Sequence, residues 1–230
     1  MLASTWLEDD DGMLEESLKD GAAALGVPLS PAQAEQLMAY LRLIGKWNKV
    51  YNLTAVREPA DMLTHHLLDS LAVIPPLRRH LAQALGQGAP ARLLDVGAGA
   101  GLPGVVVAIC CPEVAVSCVD TVSKKARFIQ QVALELRLPN LAGVHARVET
   151  LTDTWDVVTS RAFASLADFT VWSAQALAPQ GVWMALKGKH PEPELEQLGA
   201  DIDVFHVEQL QVPGLDADRC LIWMRRKPVG

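Results

Sequence analysis

The sequence lacks any apolar run long enough to cross a membrane. Its longest runs, such as Val105 to Cys111, are far shorter than the roughly 20 residues that a transmembrane helix needs. The first residues carry acids where a secretory signal would carry lysine or arginine before an apolar stretch. We therefore expect a soluble cytoplasmic protein with no membrane partner.

Paired or metal-binding cysteines are also missing. The four cysteines, at positions 110, 111, 118 and 220, form no Cys-x-x-Cys motif, and no histidine stands at a metal-ligand spacing from them. Free cysteine is usually a buried residue. We interpret all four as reduced core residues and expect no metal site.

An excess of basic residues, which often marks a nucleic-acid partner, is absent because the formal net charge is -7. Residues 1–20 account for -6 of that charge, and the other 210 residues for only -1. A nearly neutral body can still carry a basic face. The charge balance therefore leaves an RNA substrate open without supporting it.

The chain divides into three segments by composition and periodicity. Residues 1–20 are acidic and poor in core residues, which predicts a mobile extension or a loosely held helix. Residues 21–86 have helical apolar spacing and predict an N-terminal helical cap. Residues 87–230 follow a Gly- and Pro-containing linker and predict an α/β domain.

Two helices are expected in the cap. One begins at Ser30-Pro31, an N-cap followed by proline at the first helical position, and continues for four to five turns. The second runs from Ala60 to Ile74, and Pro75-Pro76 should end it because proline breaks a helix interior.

Short apolar runs alternate with helical stretches in the α/β domain, which is typical of a parallel sheet with crossover helices. The predicted strands span about 92–96, 114–120, 142–146, 155–160, 181–187, 203–210 and 219–226, and the predicted helices about 103–111, 123–137, 165–178 and 191–198. No helix separates the last two strands, so they should form an antiparallel hairpin. The pattern predicts a doubly wound, mostly parallel seven-stranded Rossmann-like sheet with an antiparallel last strand, the class I AdoMet methyltransferase variant.

A glycine-rich loop, Asp95-Val96-Gly97-Ala98-Gly99-Ala100-Gly101, joins the first predicted strand of that domain to its first helix. Ligands of doubly wound sheets bind beyond the carboxyl ends of the strands. S-adenosylmethionine (AdoMet) and a dinucleotide both fit, because Gly99-x-Gly101-x-x-Gly104 matches the dinucleotide fingerprint. Asp120 could hold the ribose of either ligand. Asp95 favours AdoMet, since its carboxylate would oppose a pyrophosphate and suits a cationic cofactor.

Several further segments, in a fixed order, resemble one family. They are Lys46-Trp47-Asn48-Lys49-Val50-Tyr51-Asn52-Leu53-Thr54-Ala55, His66-Leu67-Leu68-Asp69-Ser70-Leu71, Asp95 to Gly104, Asp120 with Lys124-Lys125, Arg147-Val148-Glu149, Ser160-Arg161-Ala162 and Leu186-Lys187-Gly188. From about Leu37 to Lys227 the chain resembles the bacterial 16S ribosomal RNA guanine-N7 methyltransferases of the GidB (RsmG) family. The chain departs from the family pattern at two positions. Ala98 stands where serine or threonine is frequent, and Ala146 stands where glycine is frequent.

The resemblance implies methyl transfer from AdoMet to N7 of a guanine in 16S rRNA, guanine 527 of the small subunit, by a monomer acting on the RNA or on the assembled subunit. The family's cofactor contacts fall on Gly97, Leu102, the Val148-Glu149 pair and Arg161. The expected cofactor site therefore comprises Asp95, Gly97, Gly99, Gly101, Leu102, Asp120, Val148, Glu149 and Arg161.

Guanine N7 carries a lone pair and no proton, so its methylation needs no general base, and positioning can supply most of the catalysis. We assign no catalytic residue. Arg161 is a candidate for positioning the cofactor region or the RNA, or else for a salt bridge with a neighbouring acid.

Other charged and polar residues have roles that the sequence leaves open. His66 and Asp69 share a helix face and could pair with each other, and Asn48 and Asn52 could hold the loop to Arg57 or touch substrate. The candidate RNA contacts are Lys46, Lys49, Arg57, Lys124, Lys125, Arg127, Lys187, Lys189 and Arg219. Each of these alone is more often a solvated charge. An NAD(P)-dependent oxidoreductase and a non-enzymatic AdoMet- or RNA-binding module remain the alternative functions.

Overall fold

A computed structural model describes residues 8–86, 89–161, 163 and 165–228 of the chain. The α-helices are α1 Glu8–Ala24, α2 Pro31–Tyr51, α3 Pro59–Met62, α4 Asp69–Leu71, α5 Ile74–Ala84, α6 Gly104–Cys110, α7 Ser123–Glu135, α8 Leu166–Trp172 and α9 Glu192–Glu196. The strands are β1 Ala91–Val96, β2 Val114–Asp120, β3 Leu141–His145, β4 Trp155–Ser160, β5 Leu177–Lys187, β6 Ile202–Leu210 and β7 Arg219–Arg226. Within these described ranges, none of the helices has the length and apolarity that a membrane span requires.

All seven strands form one sheet in the order β3-β2-β1-β4-β5-β7-β6. Neighbouring strands are parallel from β3 to β5, and β7 is antiparallel to both β5 and β6. The doubly wound sheet with an antiparallel last strand and a final hairpin is therefore confirmed. The strand order reverses at β1, so the carboxyl ends of β1, β2 and β4 meet where such sheets bind their ligands.

The helix α2 begins where the sequence predicts. The Ser30 hydroxyl accepts a hydrogen bond from the Gln33 backbone N–H at 3.2 Å, and the Gln33 side chain accepts one from the Ser30 N–H at 3.0 Å. This capping box satisfies two of the free amides at the start of the helix. The helix ends at Tyr51, and Asn52 follows in the left-handed region with φ 49°.

The second predicted cap helix is wrong in its details. Residues 59–71 form α3, a π-helical turn over Leu63–Leu68 and then α4, and α5 starts at Ile74. The two prolines at 75 and 76 therefore begin a helix instead of ending one. Proline is tolerated in the first helical turn because its missing N–H has no partner to lose there.

The sequence predicts a mobile extension or a loosely held helix over residues 1–20, and the residues that the structure describes there are helical. Residues 8–20 belong to α1, in which Leu14, Leu18 and Ala22 are buried against the core. Three apolar residues at four-residue spacing are enough to seat the helix on the protein. Residues 1–7 lie outside the described residues.

The helix predicted over 165–178 is too long. α8 ends at Trp172, a short 3₁₀ turn covers Ala174–Ala176, and β5 already begins at Leu177, which pairs with Trp155. The Trp183 indole N–H also donates to the Ser173 hydroxyl at 2.9 Å. Pairing with β4 therefore makes Leu177 and Ala178 part of a strand, although their local pattern predicts a helix.

Two clusters of buried residues cover the two faces of the sheet. The larger one joins the cap helices α1 and α2 to α6, α7 and one sheet face, and the smaller one lies under α8 on the other face. All four cysteines are free and buried, as predicted, and burial raises the pKa of the Cys110 thiol to about 12.

Candidate functional site

The glycine loop turns sharply between β1 and α6. Gly97, Gly99 and Gly101 have φ values of 65°, 58° and 91°, a backbone region that side chains disfavour. At Gly101 a Cβ would also lie 2.5 Å from Val105 Cγ2. The predicted loop therefore needs glycine at these positions for its backbone conformation.

Three side chains from different parts of the chain hold this loop. Asp95 accepts a hydrogen bond from the Gly104 N–H at 2.9 Å, and Asp120 accepts one from the Gly99 N–H at 3.0 Å. The buried Tyr40 of α2 donates its hydroxyl to the Ala100 carbonyl at 2.6 Å. Sequence reasoning missed Tyr40, because its position in the apolar stripe of α2 predicted only a core residue.

The side chain of Asp95 lies beneath the loop and is fully buried. Its Oδ2 contacts the Gly104 amide, whereas Oδ1 has no hydrogen-bond partner among the described residues. Burial raises the pKa of this carboxyl to about 7, against the lowering effects of the Gly104 hydrogen bond and of Arg161. Asp95 thus supports the loop through Oδ2, and its Oδ1 makes no hydrogen bond to the described residues.

A cavity of about 430 Å³ opens beside the loop, and we call it the glycine-loop cavity. It is lined by Val96, Gly97, Val119, Asp120, Thr121, Val122, Lys125, Ala146, Arg147, Val148, Glu149, Phe163 and Trp172. Four predicted cofactor residues line it, namely Gly97, Asp120, Val148 and Glu149. The other five, Asp95, Gly99, Gly101, Leu102 and Arg161, lie outside its lining.

Asp120 and Glu149 supply the two carboxylates in the lining of this cavity. Asp120 is buried, and its Oδ1 accepts the Val122 N–H at 2.8 Å, which ties the end of β2 to the start of α7. The pKa of Glu149 is lowered by its own backbone N–H and by Arg147, whose guanidinium lies 3.0 Å from its Oε1. Both carboxylates therefore face the cavity as hydrogen-bond acceptors.

Two aromatic residues that line the glycine-loop cavity were not predicted from the sequence as site residues. Phe163 and Trp172 meet edge to face with ring centroids 5.4 Å apart, and Trp172 is 45% exposed. An exposed tryptophan beside a cavity offers a flat apolar surface to a ligand. The sequence signal was weak, because Trp172 lies in a helix that was predicted only from its periodicity.

A second cavity of about 380 Å³ contains Arg161, and we call it the arginine cavity. Its lining residues are Val56, His65, His66, Asp69, Arg161, Leu186, Lys187, Gly188 and Arg219. The buried Asp69 carboxylate binds two guanidinium groups, Arg161 at 3.2 Å and Arg219 at 2.8 Å. The salt-bridge alternative for Arg161 is therefore what the structure shows. Each arginine remains about one-quarter exposed.

His66 does not pair with Asp69, although the sequence allowed it. Its Nε2 lies 2.8 Å from the Thr54 hydroxyl, and Asn48 binds the Thr54 N–H and the Val56 carbonyl. Asn48 thus ties down the loop after α2, one of its two predicted roles. Burial, followed by the charge of Arg161, lowers the pKa of His66 to about 4, so this imidazole is neutral at pH 7.

The linings of the two cavities are connected at the ends of β1 and β4. The Ser160 hydroxyl donates to the Val96 carbonyl at 2.9 Å, and Arg161 follows Ser160 directly. Phe163 lines the glycine-loop cavity while its carbonyl lies 3.4 Å from the Lys187 amine of the arginine cavity. Ala162, the last residue of the predicted Ser160-Arg161-Ala162 motif, lies outside the described residues.

The structure separates the predicted RNA contacts into groups. Lys187 forms an ion pair with Glu194 at 2.7 Å, Arg219 is held by Asp69, and Lys125 lines the glycine-loop cavity. The exposed members are Lys46, Lys49, Arg57, Lys124, Arg127 and Lys189. Across the described part of the chain, no three histidine, cysteine or acidic side chains gather as a metal site would require.

This sheet order with an antiparallel β7, and a glycine-loop cavity at the carboxyl ends of its strands, defines a class I methyltransferase fold. A SAM-dependent methyltransferase from Leishmania major has the same fold at a TM-score of 0.55 and 17% identity, covering 81% of this chain and 82% of that one. TrmN from Thermus thermophilus matches at a TM-score of 0.52 and 14% identity, covering 98% and 88%.

Sequence comparison narrows the class to one family. The GidB family, described as rRNA small subunit methyltransferase G, matches residues 33–222, and the chain belongs to this family. The ribosomal RNA small subunit methyltransferase G of Acidovorax ebreus (strain TPSY) is 68% identical over 92% of this chain and 95% of its own length. That of Polaromonas sp. (strain JS666) is 67% identical over 93% and 94%. The resemblance noted in the sequence is confirmed, and the oxidoreductase alternative is not.

Proposed function

We propose that this protein transfers a methyl group from AdoMet to N7 of a guanine in 16S rRNA, guanine 527, in the cytoplasm. The observation that carries the proposal is the pair of cavities whose linings are connected at the ends of β1 and β4, where the Ser160–Val96 hydrogen bond forms a bridge between the strands. A cofactor in one cavity and an acceptor base in the other would meet at this bridge.

The glycine-loop cavity fits AdoMet in size and in donor set. Its volume of about 430 Å³ is within the range of ~300–1,000 Å³ that small-molecule sites occupy. Asp120 can accept hydrogen bonds from a ribose diol, and Val148 with Glu149 can frame an adenine edge. Asp95 lies buried beneath the loop and outside this lining, so it would act by supporting the loop and not by touching the cofactor. Bound AdoMet supplies an electrophilic methyl group on its sulfonium.

The arginine cavity fits a guanine nucleotide. Asp69 fixes two guanidinium groups, and the remaining N–H groups of Arg161 and Arg219 can donate to the guanine O6 or to a phosphate oxygen. Three cationic side chains and one buried carboxylate line this cavity, although Lys187 is paired with Glu194. The role of these arginines is to orient the base so that N7 points at the bridge.

The side chains of the arginine cavity agree with a reaction in which guanine N7 attacks without a general base. A ring nitrogen with a free lone pair needs no base, so no side chain has to accept a proton. His66 is neutral but hydrogen-bonded to Thr54, and Asp69 is engaged by two arginines. The Nδ1 of His66 is buried without a hydrogen-bond partner among the described residues, and a pKa of about 4 makes this imidazole a weak base. Neither residue is therefore suited to act as a general base, and the reaction depends on positioning.

The decisive experiment is incubation with methyl-labelled AdoMet and small subunits that lack this modification, followed by mass mapping of the labelled nucleotide. We expect label on a single guanine of 16S rRNA, recovered as N7-methylguanosine after nuclease digestion, with S-adenosylhomocysteine as the other product. Label elsewhere would correct the target, and its absence from every RNA would refute the proposal. S-adenosylhomocysteine should raise the melting temperature, because a ligand that binds only the folded state stabilises it.

Arg161→Ala tests the orienting role. The variant should lose most of its methyl transfer while S-adenosylhomocysteine still raises its melting temperature. Arg225→Ala is the matched control, because Arg225 also forms an arginine–aspartate pair, with Asp203 at 2.8 Å, but on the final hairpin. Full turnover in a folded Arg161→Ala variant would contradict the role.

A further inference from the structure

Four exposed basic residues lie together where α2 ends and α7 begins. Lys46 and Lys49 are one helical turn apart on α2, and Lys124 and Arg127 are one turn apart on α7. Residues three apart share a face of a helix. We call these four residues the basic patch.

Aromatic contacts bring the two helices together at the basic patch. The Lys124 amine lies 5.8 Å above the ring centroid of Tyr51, and the Trp47 ring meets the Phe128 ring edge to face at 5.3 Å. Trp47 and Phe128 lie one residue from Lys46 and Arg127 respectively. The two pairs of cations therefore lie on neighbouring helices that contact each other.

The basic patch differs from Lys187 and Arg219 in its ion pairing among the described side chains. Among the described side chains, which leave out those of residues 8–10, none of the four cations has a carboxylate within 4.0 Å, whereas Lys187 and Arg219 are paired. Between the cations, Tyr51 is 39% and Val50 70% exposed. The surface thus combines unpaired positive charge with an aromatic and an apolar contact.

The patch also adjoins the glycine-loop cavity. Val122, the N-cap of α7, and Lys125 in its first turn both line that cavity. Lys124 lies in the same turn as Lys125, so a ligand that spans from the cavity along α7 meets the basic patch next.

We propose that the basic patch binds the phosphate backbone of the RNA beside the target guanine. The inference rests on the proposed function for its choice of polyanion. Interfaces with nucleic acids are much more positively charged than those with proteins, and they combine cations with aromatic side chains. A protein body with a net charge near zero has to concentrate its positive charge locally to attract RNA, and the patch does so.

The test is a neutralised variant, Lys46→Gln, Lys49→Gln, Lys124→Gln and Arg127→Gln, which keeps long helix-forming side chains. Equilibrium binding to protein-free 16S rRNA is measured with S-adenosylhomocysteine present, at salt concentrations from 50 to 300 mM. Each lost phosphate contact should lower the slope of log K against log salt by about 0.7, so the slope should fall by up to about 3. At low salt the Kd should rise at least about tenfold.

Arg137→Gln is the matched control, since Arg137 is exposed and follows the other end of α7, about 15 Å along the axis from Arg127. It should bind RNA like the wild type. Melting-temperature shifts with S-adenosylhomocysteine verify that the neutralised variant keeps its fold and its cofactor cavity.

An unchanged slope and Kd in the neutralised variant would overturn the proposal, as would a wild type that does not bind protein-free RNA at low salt. The proposal would also be overturned if the neutralised variant bound assembled subunits less tightly but bound protein-free RNA like the wild type, because the partner would then be a ribosomal protein. If RNA binding falls as expected but the wild type labels no RNA, the methyl-transfer proposal fails while the surface assignment stands.

Discussion

Asp95 and His66 should give this protein two opposing pH dependences of stability. Burial raises the pKa of Asp95 from 3.8 to about 7, and burial with the charge of Arg161 lowers the pKa of His66 from 6.5 to about 4. Between about pH 4 and 6.5 the folded protein therefore holds a proton on Asp95 that the unfolded chain has released. Over the same range it lacks on His66 the proton that the unfolded chain binds.

The sign of each contribution follows from proton linkage. Stability falls with rising pH where the folded state binds more protons, which is the case for Asp95, and rises where the unfolded chain binds more, which is the case for His66. Each slope is at most about 1.4 kcal/mol per pH unit. The two contributions therefore largely cancel in the wild type below pH 6.5, and only that of Asp95 remains from pH 6.5 to about 7.

Single substitutions should separate the two contributions. From pH 4.5 to 6.5, the free energy of unfolding of Asp95→Asn minus that of the wild type should rise by about 2–3 kcal/mol. The same difference for His66→Gln should fall by a similar amount. The measurement is urea unfolding followed by tryptophan fluorescence at constant ionic strength and at four pH values. Exposed Asp216→Asn is the control and should run parallel to the wild type. Parallel profiles for Asp95→Asn and the wild type would refute the protonated, buried Asp95.

Three further substitutions test the loop and the N-terminal helix by urea unfolding at pH 7. Tyr40→Phe leaves the Ala100 carbonyl without its donor and should cost about 1–3 kcal/mol, and a change below 0.5 kcal/mol would show that the hydrogen bond is dispensable. Gly101→Ala should cost at least about 1–2 kcal/mol, because φ is 91°, and wild-type stability would mean that the loop has another conformation. Leu18→Ala should cost about 2–5 kcal/mol, whereas the 61% exposed Met13→Ala should cost little; equal effects would argue against a seated α1.

Much of the fold could be predicted because its signals are local. Most strands of the sheet contain a short apolar run, and the capping box at Ser30 is contained in four residues. The errors occurred where distant parts of the chain decide. Pairing with Trp155 turns Leu177 into a strand residue, and the core that receives Leu18 is built by segments far from it.

The candidate site shows the same division. The glycine spacing of the loop and the acidic residues at the ends of β1 and β2 were visible in the sequence, since a sharp strand-to-helix turn requires glycine nearby. The partners of Asp69 were not, because they lie 92 and 150 residues away along the chain. The hydrogen bond from Tyr40 to Ala100 spans 60 residues.

By itself the sequence determined the class of sheet, the position of the glycine loop and the family, since each depends on neighbouring residues or on their order. Only the tertiary structure decided that Asp95 lies beneath the loop and that Arg161 belongs to a second cavity. It also separated the unpaired cations of the basic patch from those neutralised by carboxylates. Burial and ion pairing depend on distances between residues remote in the chain, which no local pattern encodes.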